Sequence, residues 1–194
     1  MKTLWLIAED ESGAQIFRAI FERRFPEMHV PYILPRGNHP NISRLAIDIE
    51  DLINNIHVDK RRKADDCIVV LHDLDAQRRT ETSDYDKIKK ACEKAVKDGL
   101  KLLECIAVDE IESWLLADSG VCQWLGEKRG NYDTKAAPKD ILNGWLKRKG
   151  KITYYSVRGR DEVFKHIVGD GDQKEYSPSM RWAFTALTNA SCTT

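Results

Sequence analysis

Three short apolar runs, residues 3–8, 67–71 and 102–108, each stop within two positions of an acidic residue. Their bulky and β-branched content predicts strands buried on both faces, since a strand with one wet face would alternate apolar and polar residues. Between them lie segments with helical spacing. Ile16, Phe17, Ile20, Phe21 and Phe25 mark a helix over 14–25, with Ser12 placed to cap it and Pro26 to close it. Leu45, Ile49, Leu52 and Ile56 mark a second, opened by Asn41 or Ser43. Residues 29–34 read as a further strand, broken by Pro31 and ended by Pro35-Arg36-Gly37. A polar loop over 76–84 precedes a helix over 85–98, and another helix covers 110–117. This order predicts an α/β fold: a mainly parallel, Rossmann-type sheet with helices on both faces. Beyond residue 120 the pattern turns helical and basic, ending in a helix over 180–187. The expected organisation is an α/β core over 1–120 and a helical, basic C-terminal extension over 121–194 packed on it.

Composition narrows the class. The chain has 194 residues, 42% hydrophobic, with 31 basic and 31 acidic residues. Global disorder needs low hydrophobicity and a large net charge, so it is excluded. No apolar run approaches the roughly 18–20 residues of a membrane span. Glu9 interrupts the first apolar run too early for a secretory leader, so no membrane association and a cytoplasmic location are expected. Five cysteines without a C-x-x-C pair suit reduced thiols, not a zinc knuckle or a disulfide frame. Trp114, Trp124, Trp145 and Trp182 are expected in the core. The zero net charge hides an asymmetry: over residues 128–160, ten basic residues against two acidic ones leave +8. Such a segment beside an acidic site suits a polyanion.

A parallel sheet brings the carboxyl ends of its strands to one edge, where ligands bind. Here that edge collects Glu9-Asp10-Glu11, then Asp73-Leu74-Asp75, then Asp109-Glu110 with Glu112 just beyond. Two carboxylates about 4 Å apart repel by roughly 4 kcal/mol at an effective dielectric near 20. A divalent cation removes that repulsion, and an all-oxygen donor set favours Mg²⁺ or Mn²⁺ over zinc. The competing reading is that acids after strands simply cap the helices that follow.

The Glu at the end of the first strand, followed by Asp-x-Asp after a later one, resembles the signature of a Toprim domain. Glu9 and Asp73-Leu74-Asp75 carry it. The string Glu112-Ser113-Trp114-Leu115-Leu116-Ala117-Asp118 is similar to a segment of one small bacterial family, the Toprim-related domain of unknown function 4276. Arg36-Gly37, Pro138-Lys139 and Ser177-Pro178-Ser179-Met180 resemble its other landmarks. Asp10 stands where that family has Gly, Gly13 where it has an acid, and Met180 where an aromatic is commoner. The resemblance implies Mg²⁺-dependent phosphodiester chemistry on DNA or RNA. It also implies a partner ATPase of the overcoming-lysogenization or chromosome-maintenance type, in phage defence. Asp73 and Asp75 would then hold one Mg²⁺, with Glu9 as a further ligand or the proton-handling group. Glu112 would hold a second ion, supported by Glu11 or Asp109. Arg36, Lys139 and Arg158 would contact phosphates of the nucleic acid. Two alternatives stand: a catalytically inactive Toprim-like binding module, and a receiver-like domain with Asp73 as phosphoacceptor.

Overall fold

The first strand, β1 (Lys2–Ala8), puts Leu4, Leu6 and Ala8 into one core and Trp5 and Ile7 into another. The computed structural model describes residues 2–37, 41–74, 82–133, 137–150, 153, 156–173 and 175–193. Four further strands join β1: β2 (Met28–His29), β3 (Tyr32–Ile33), β4 (Cys67–Leu74) and β5 (Leu102–Val108). In β4, Cys67, Val69 and Leu71 face the first core and Ile68 and Val70 the second. Burial on both faces is why these strands read as unbroken apolar runs.

Every recorded pairing is parallel. Leu6 aligns with Tyr32 and with Val69, and Val69 aligns with Leu103, so the sheet runs β2/β3–β1–β4–β5. Pro31 divides one edge strand into two short pieces because it has no N–H for the ladder, yet its carbonyl still accepts from Leu6 N at 2.9 Å. β4 runs on through His72 and Asp73, further than its apolar run, because Asp73 keeps its place in the ladder opposite Ala107.

Helix α1 (Glu11–Arg24) covers the first face, and α2 (Ile42–His57) and α3 (Thr82–Lys97) cover the second. The chain therefore leaves β1 toward one side and returns to β4 on the other. Between these two strands lies a topological switch point, the usual ligand position of such sheets. Asp10, not Ser12, caps α1: its side chain accepts from Gly13 N at 2.7 Å, while the Ser12 hydroxyl turns to Glu112. Asn41 caps α2 through Arg44 N.

The remaining helices are α4 (Glu112–Ala117), α5 (Ser119–Leu125), α6 (Pro138–Arg148), α7 (Val157–Phe164) and α8 (Pro178–Asn189). Their apolar residues, among them Trp114, Val121, Trp145, Val163 and Leu187, belong to the same core as α1. Phe184 of α8 stacks on Phe21 of α1 with ring centroids 5.7 Å apart. Burying each such side chain stabilises the fold by about 1.5–3 kcal/mol, so the basic half of the chain shares the hydrophobic core of the acidic half. Trp182 is the exception among the tryptophans expected inside, at 52% exposure. It falls on the outward side of α8, whose inward side is already filled by Met180, Ala183 and Phe184.

The expectation of reduced cysteines fails for two of the five. Cys67, at the start of β4, is disulfide-bonded to Cys192, just past α8, with Cα atoms 5.7 Å apart. The 125 positions between them hid the pair, because only the docking of α8 brings its end back to the sheet. Cys92, Cys105 and Cys122 are free and buried. Among the described residues, no helix is long and apolar enough to cross a membrane.

Candidate functional site

The carboxyl ends of β1, β4 and β5 meet the N-termini of four helices at the switch-point edge. Helix N-termini carry unpaired N–H groups and a partial positive charge, and the acids of this edge answer them. Asp10 caps α1. Asp73 Oδ1 accepts from Ile111 N, at the entrance to α4, at 3.1 Å. Glu110 Oε2 accepts from Lys139 N in the first turn of α6 at 2.9 Å. Glu9 Oε2 accepts from Asp73 N at 3.2 Å, which ties the end of β1 to the end of β4.

Glu112 stands deepest, only 3% exposed. Ser12 Oγ donates to its Oε1 at 3.4 Å, and Lys139 Nζ lies 3.8 Å from the same oxygen. Asp109 supplies the bend that turns Glu110 and Glu112 back over the edge, with a left-handed φ of 64°. Asp tolerates that conformation better than most side chains.

Capping does not neutralise this cluster. Burial pushes Asp73 well above the ordinary carboxylate range, and the charges of Glu112, Glu9, Asp10 and Glu110 push it further. Burial raises Glu112 to about 7, with Glu110 and Asp10 adding to the rise and Lys139 opposing it. Glu9 is raised by burial and by Asp10, against the backbone N–H groups of Asp73 and Ile42 and the charge of His72. Among the described residues, these carboxyls are thus held above their ordinary range by burial and by one another, with the Lys139 ammonium opposing the rise at Glu112.

Beneath Asp73, on the opposite face of the sheet, His72 Nε2 pairs with Glu104 Oε1 at 2.9 Å. Tyr85 Oη donates to the Asp73 carbonyl at 3.3 Å. Both contacts hold the backbone that presents Asp73. Ala8, Glu9, Asp10, Gly13, Leu71 and Asp73 line a small pocket at this edge. Gly13 borders it, and a Cβ there would lie 3.4 Å from Asp10 Oδ1.

Of the residues expected at a metal site, the structure brings together Glu9, Asp73 and Glu112 as interacting charges. Glu11 is exposed, accepts from Gln15 and turns away. Asp109 contributes the turn. Asp75 lies outside the described residues. Among the described residues, no three His, Cys, Asp or Glu side chains converge closely enough to hold a metal ion.

The cations divide similarly. Arg36 is exposed just past β3, on the same sheet edge. Lys139 reaches Glu112, and Arg158 is exposed on α7. Two other residues of the basic stretch, Arg129 and Arg148, have intramolecular partners. Arg129 donates to the carbonyls of Ala117 and Asp170, and Arg148 pairs with Glu127. Glu110 is expected at this edge without a role, and Ser12 is expected as a cap; their contacts with Lys139 N and Glu112 are what pattern reading missed. The acidic string containing Glu110 was the available signal; for Ser12 none existed, since its partner lies 100 positions away.

The fold and this edge define a class: a doubly wound α/β protein with an acidic cluster at its switch point. Compared with family models, curated proteins and solved structures, the chain matches none.

Proposed function

We propose that the protein is a Mg²⁺- or Mn²⁺-dependent nuclease of Toprim type, hydrolysing phosphodiester bonds in DNA or RNA. The observation that carries this reading is the gathering of carboxylates at the switch point, where Glu9 accepts from Asp73 N, Asp73 accepts from Ile111 N at the entrance to α4, and Glu112 opens that helix. The donor chemistry fits a hard divalent ion: all-oxygen, anionic, and repulsive without a cation. Asp73 would hold it with Asp75, Glu9 would be a further ligand or the proton-handling group, and Glu112 would mark a second position. Bound there, the ion would polarise the scissile phosphate and lower the pKa of the attacking water.

The chain's own residues do the rest. Glu9, raised and partly open, is suited to take a proton from the attacking water. The His72–Glu104 pair and Tyr85 keep Asp73 in place from below. Arg36 offers phosphate oxygens a cation at the same edge. A partner ATPase of the overcoming-lysogenization or chromosome-maintenance type, within phage defence, belongs to this reading.

Titration calorimetry with Mn²⁺ tests it. Micromolar binding by the wild type, lost in Asp73→Asn while the variant stays folded, is the expected result. Plasmid, single-stranded DNA and tRNA are then the substrates to try. No binding up to millimolar Mn²⁺ by any protein with these carboxylates intact overturns it. That outcome leaves the inactive binding module, a reading favoured by the capping bonds that Asp10, Asp73 and Glu110 already make.

A further inference from the structure

Helix α6 begins at the acidic edge and ends among cations. In its first turn, Lys139 N donates to Glu110 Oε2 at 2.9 Å. The helix has 11 residues, so at about 1.5 Å per residue its far end lies roughly 16 Å away. Pro138, Leu142, Asn143, Trp145 and Leu146 are buried against the core. Asp140, Lys147 and Arg148 are exposed on the other side, with Gly144 between them.

The turn after α5 meets that far end. Arg148 Nη2 pairs with Glu127 Oε1 at 2.7 Å, and Lys149 Nζ comes within 3.4 Å of where a Cβ on Gly126 would lie. Lys128, next in that turn, is exposed. Among the described residues, Lys128, Lys147 and Lys149 pair with no carboxylate, so the positive charge here is uncompensated. Cations at a helix C-terminus suit its dipole, and on that ground alone they imply no ligand. Gly144 is not explained in that way. A glycine inside a helix is less favourable than alanine. Gly144 has no left-handed φ to require it, and a Cβ there would meet nothing nearer than Arg148 Nη1 at 3.8 Å. The fold has room for a side chain that the sequence omits. Bare helix backbone flanked by unpaired cations is suited to the close approach of a phosphate backbone.

We propose that the exposed side of α6, from Gly144 to Lys149 with Lys128 beside it, is a track for the phosphate backbone of a nucleic acid. Its length matches about five base steps at 3.4 Å each, so it favours a polymer over a mononucleotide. Asp140 opposes phosphate near the first turn, which concentrates the attraction at the far end of the helix. The track deepens the proposed function and rests on it for the choice of nucleic acid as occupant; it needs no metal ion.

Fluorescence anisotropy in EDTA tests it, with a labelled strand of about 20 nucleotides and its duplex, each titrated across a range of salt. The variants are Lys128→Gln/Lys147→Gln/Lys149→Gln and Gly144→Met. A control, Lys89→Gln/Lys90→Gln/Lys97→Gln, removes the same charge from exposed positions on α3, across the sheet. The α6 triple variant should bind about tenfold or more weakly at 0.1 M salt, with a salt slope lower by about one per lysine removed. Gly144→Met changes no charge; it should weaken binding while its thermal midpoint stays at or above that of wild type. The control should bind like wild type. Wild-type binding by either α6 variant, an equal loss in the control, or no binding by wild type at low salt overturns the track. Displacement of the strand by polyglutamate at equal charge also overturns it, and makes an acidic protein segment the occupant. None of these outcomes touches Mn²⁺ calorimetry, so the metal reading stands or falls separately. Binding that depends on α6, from a protein that takes up no Mn²⁺, keeps the track and removes the nuclease.

Discussion

At Glu112, stability and the proposed chemistry pull in opposite directions. Its carboxyl is raised from 4.5 to about 7, chiefly by burial. Below about pH 4.5 the folded and unfolded chains both hold the proton, and no penalty arises. Between there and pH 7 the unfolded chain releases its proton while the folded one keeps it, so stability falls as pH rises. Above pH 7 the penalty is full, on the order of 3 kcal/mol. Glu112→Gln removes the ionisation and keeps the shape. Urea unfolding should show the variant more stable than wild type by about 1–3 kcal/mol at pH 8 and little changed at pH 4.5. A loss of stability at pH 8 would mean that Lys139 and Ser12 compensate the charge fully. The same variant should bind Mn²⁺ more weakly, because a group costly to fold is kept where an ion uses it. Glu9 and Asp73 are legible in the chain because strand ends gather at one edge whatever the details. The Lys139–Glu112 contact is not, since it depends on where α6 lands on α4.

Elements show the same division between local and long-range information. Strands β1 and β4 are legible because burial on both faces writes itself as an unbroken apolar run, while β5, at the sheet edge, is legible despite Glu104 in its middle. The helices after residue 120 are harder to place, because although Asp118, Ser156 and Ser177 cap three of them locally, what fixes their positions are bonds between distant parts of the chain. Asp133 accepts from Ser113 Oγ, Ser177 Oγ and Ser179 N, joining α4 to the start of α8. Ser179 Oγ in turn accepts from Trp114 Nε1 at 2.8 Å. Asp118 does the same for α5, accepting from Gly120, Val121, Val168 and Gly169 backbone N–H groups. The Glu-Ser-Trp-Leu-Leu-Ala-Asp and Ser-Pro-Ser strings thus owe several of their residues to architecture, whatever Glu112 does. Asp118→Ala leaves those donors without an acceptor in a fully buried place, at a cost of about 2–4 kcal/mol. Asp118→Asn retains one acceptor oxygen and should lose less. Chemical denaturation of both variants checks the order, and equal losses would mean that water replaces the carboxylate.

Taken as a whole, the molecule closes on itself through its second half. The extension crosses the face that α1 leaves open, packs Phe184 on Phe21, and brings Cys192 back to Cys67 at the end of the sheet opposite the acidic edge. Lys2 Nζ donates to the Ser191 carbonyl at the same closure. The disulfide joins positions 125 apart, so it removes a large loop-closure entropy from the unfolded chain. In the chain-entropy model a loop of that size contributes about 5 kcal/mol, and strain or residual structure in the unfolded state lowers the measured figure. Both cysteines are only 1% exposed, so a reductant reaches the bond after the tail has lifted from the sheet. Cys192→Ser should therefore unfold at lower denaturant than oxidised wild type, by a margin of roughly 2–5 kcal/mol. Wild type unfolded and refolded in excess reductant should fall to the level of the variant. Mass spectrometry with thiol alkylation should count three free cysteines in the oxidised protein and five after reduction, the five being the chain's full complement. Five alkylated thiols without reductant, together with equal stability of wild type and variant, would return Cys67 and Cys192 to the class of packed apolar side chains. The tail would then be held by α8 alone.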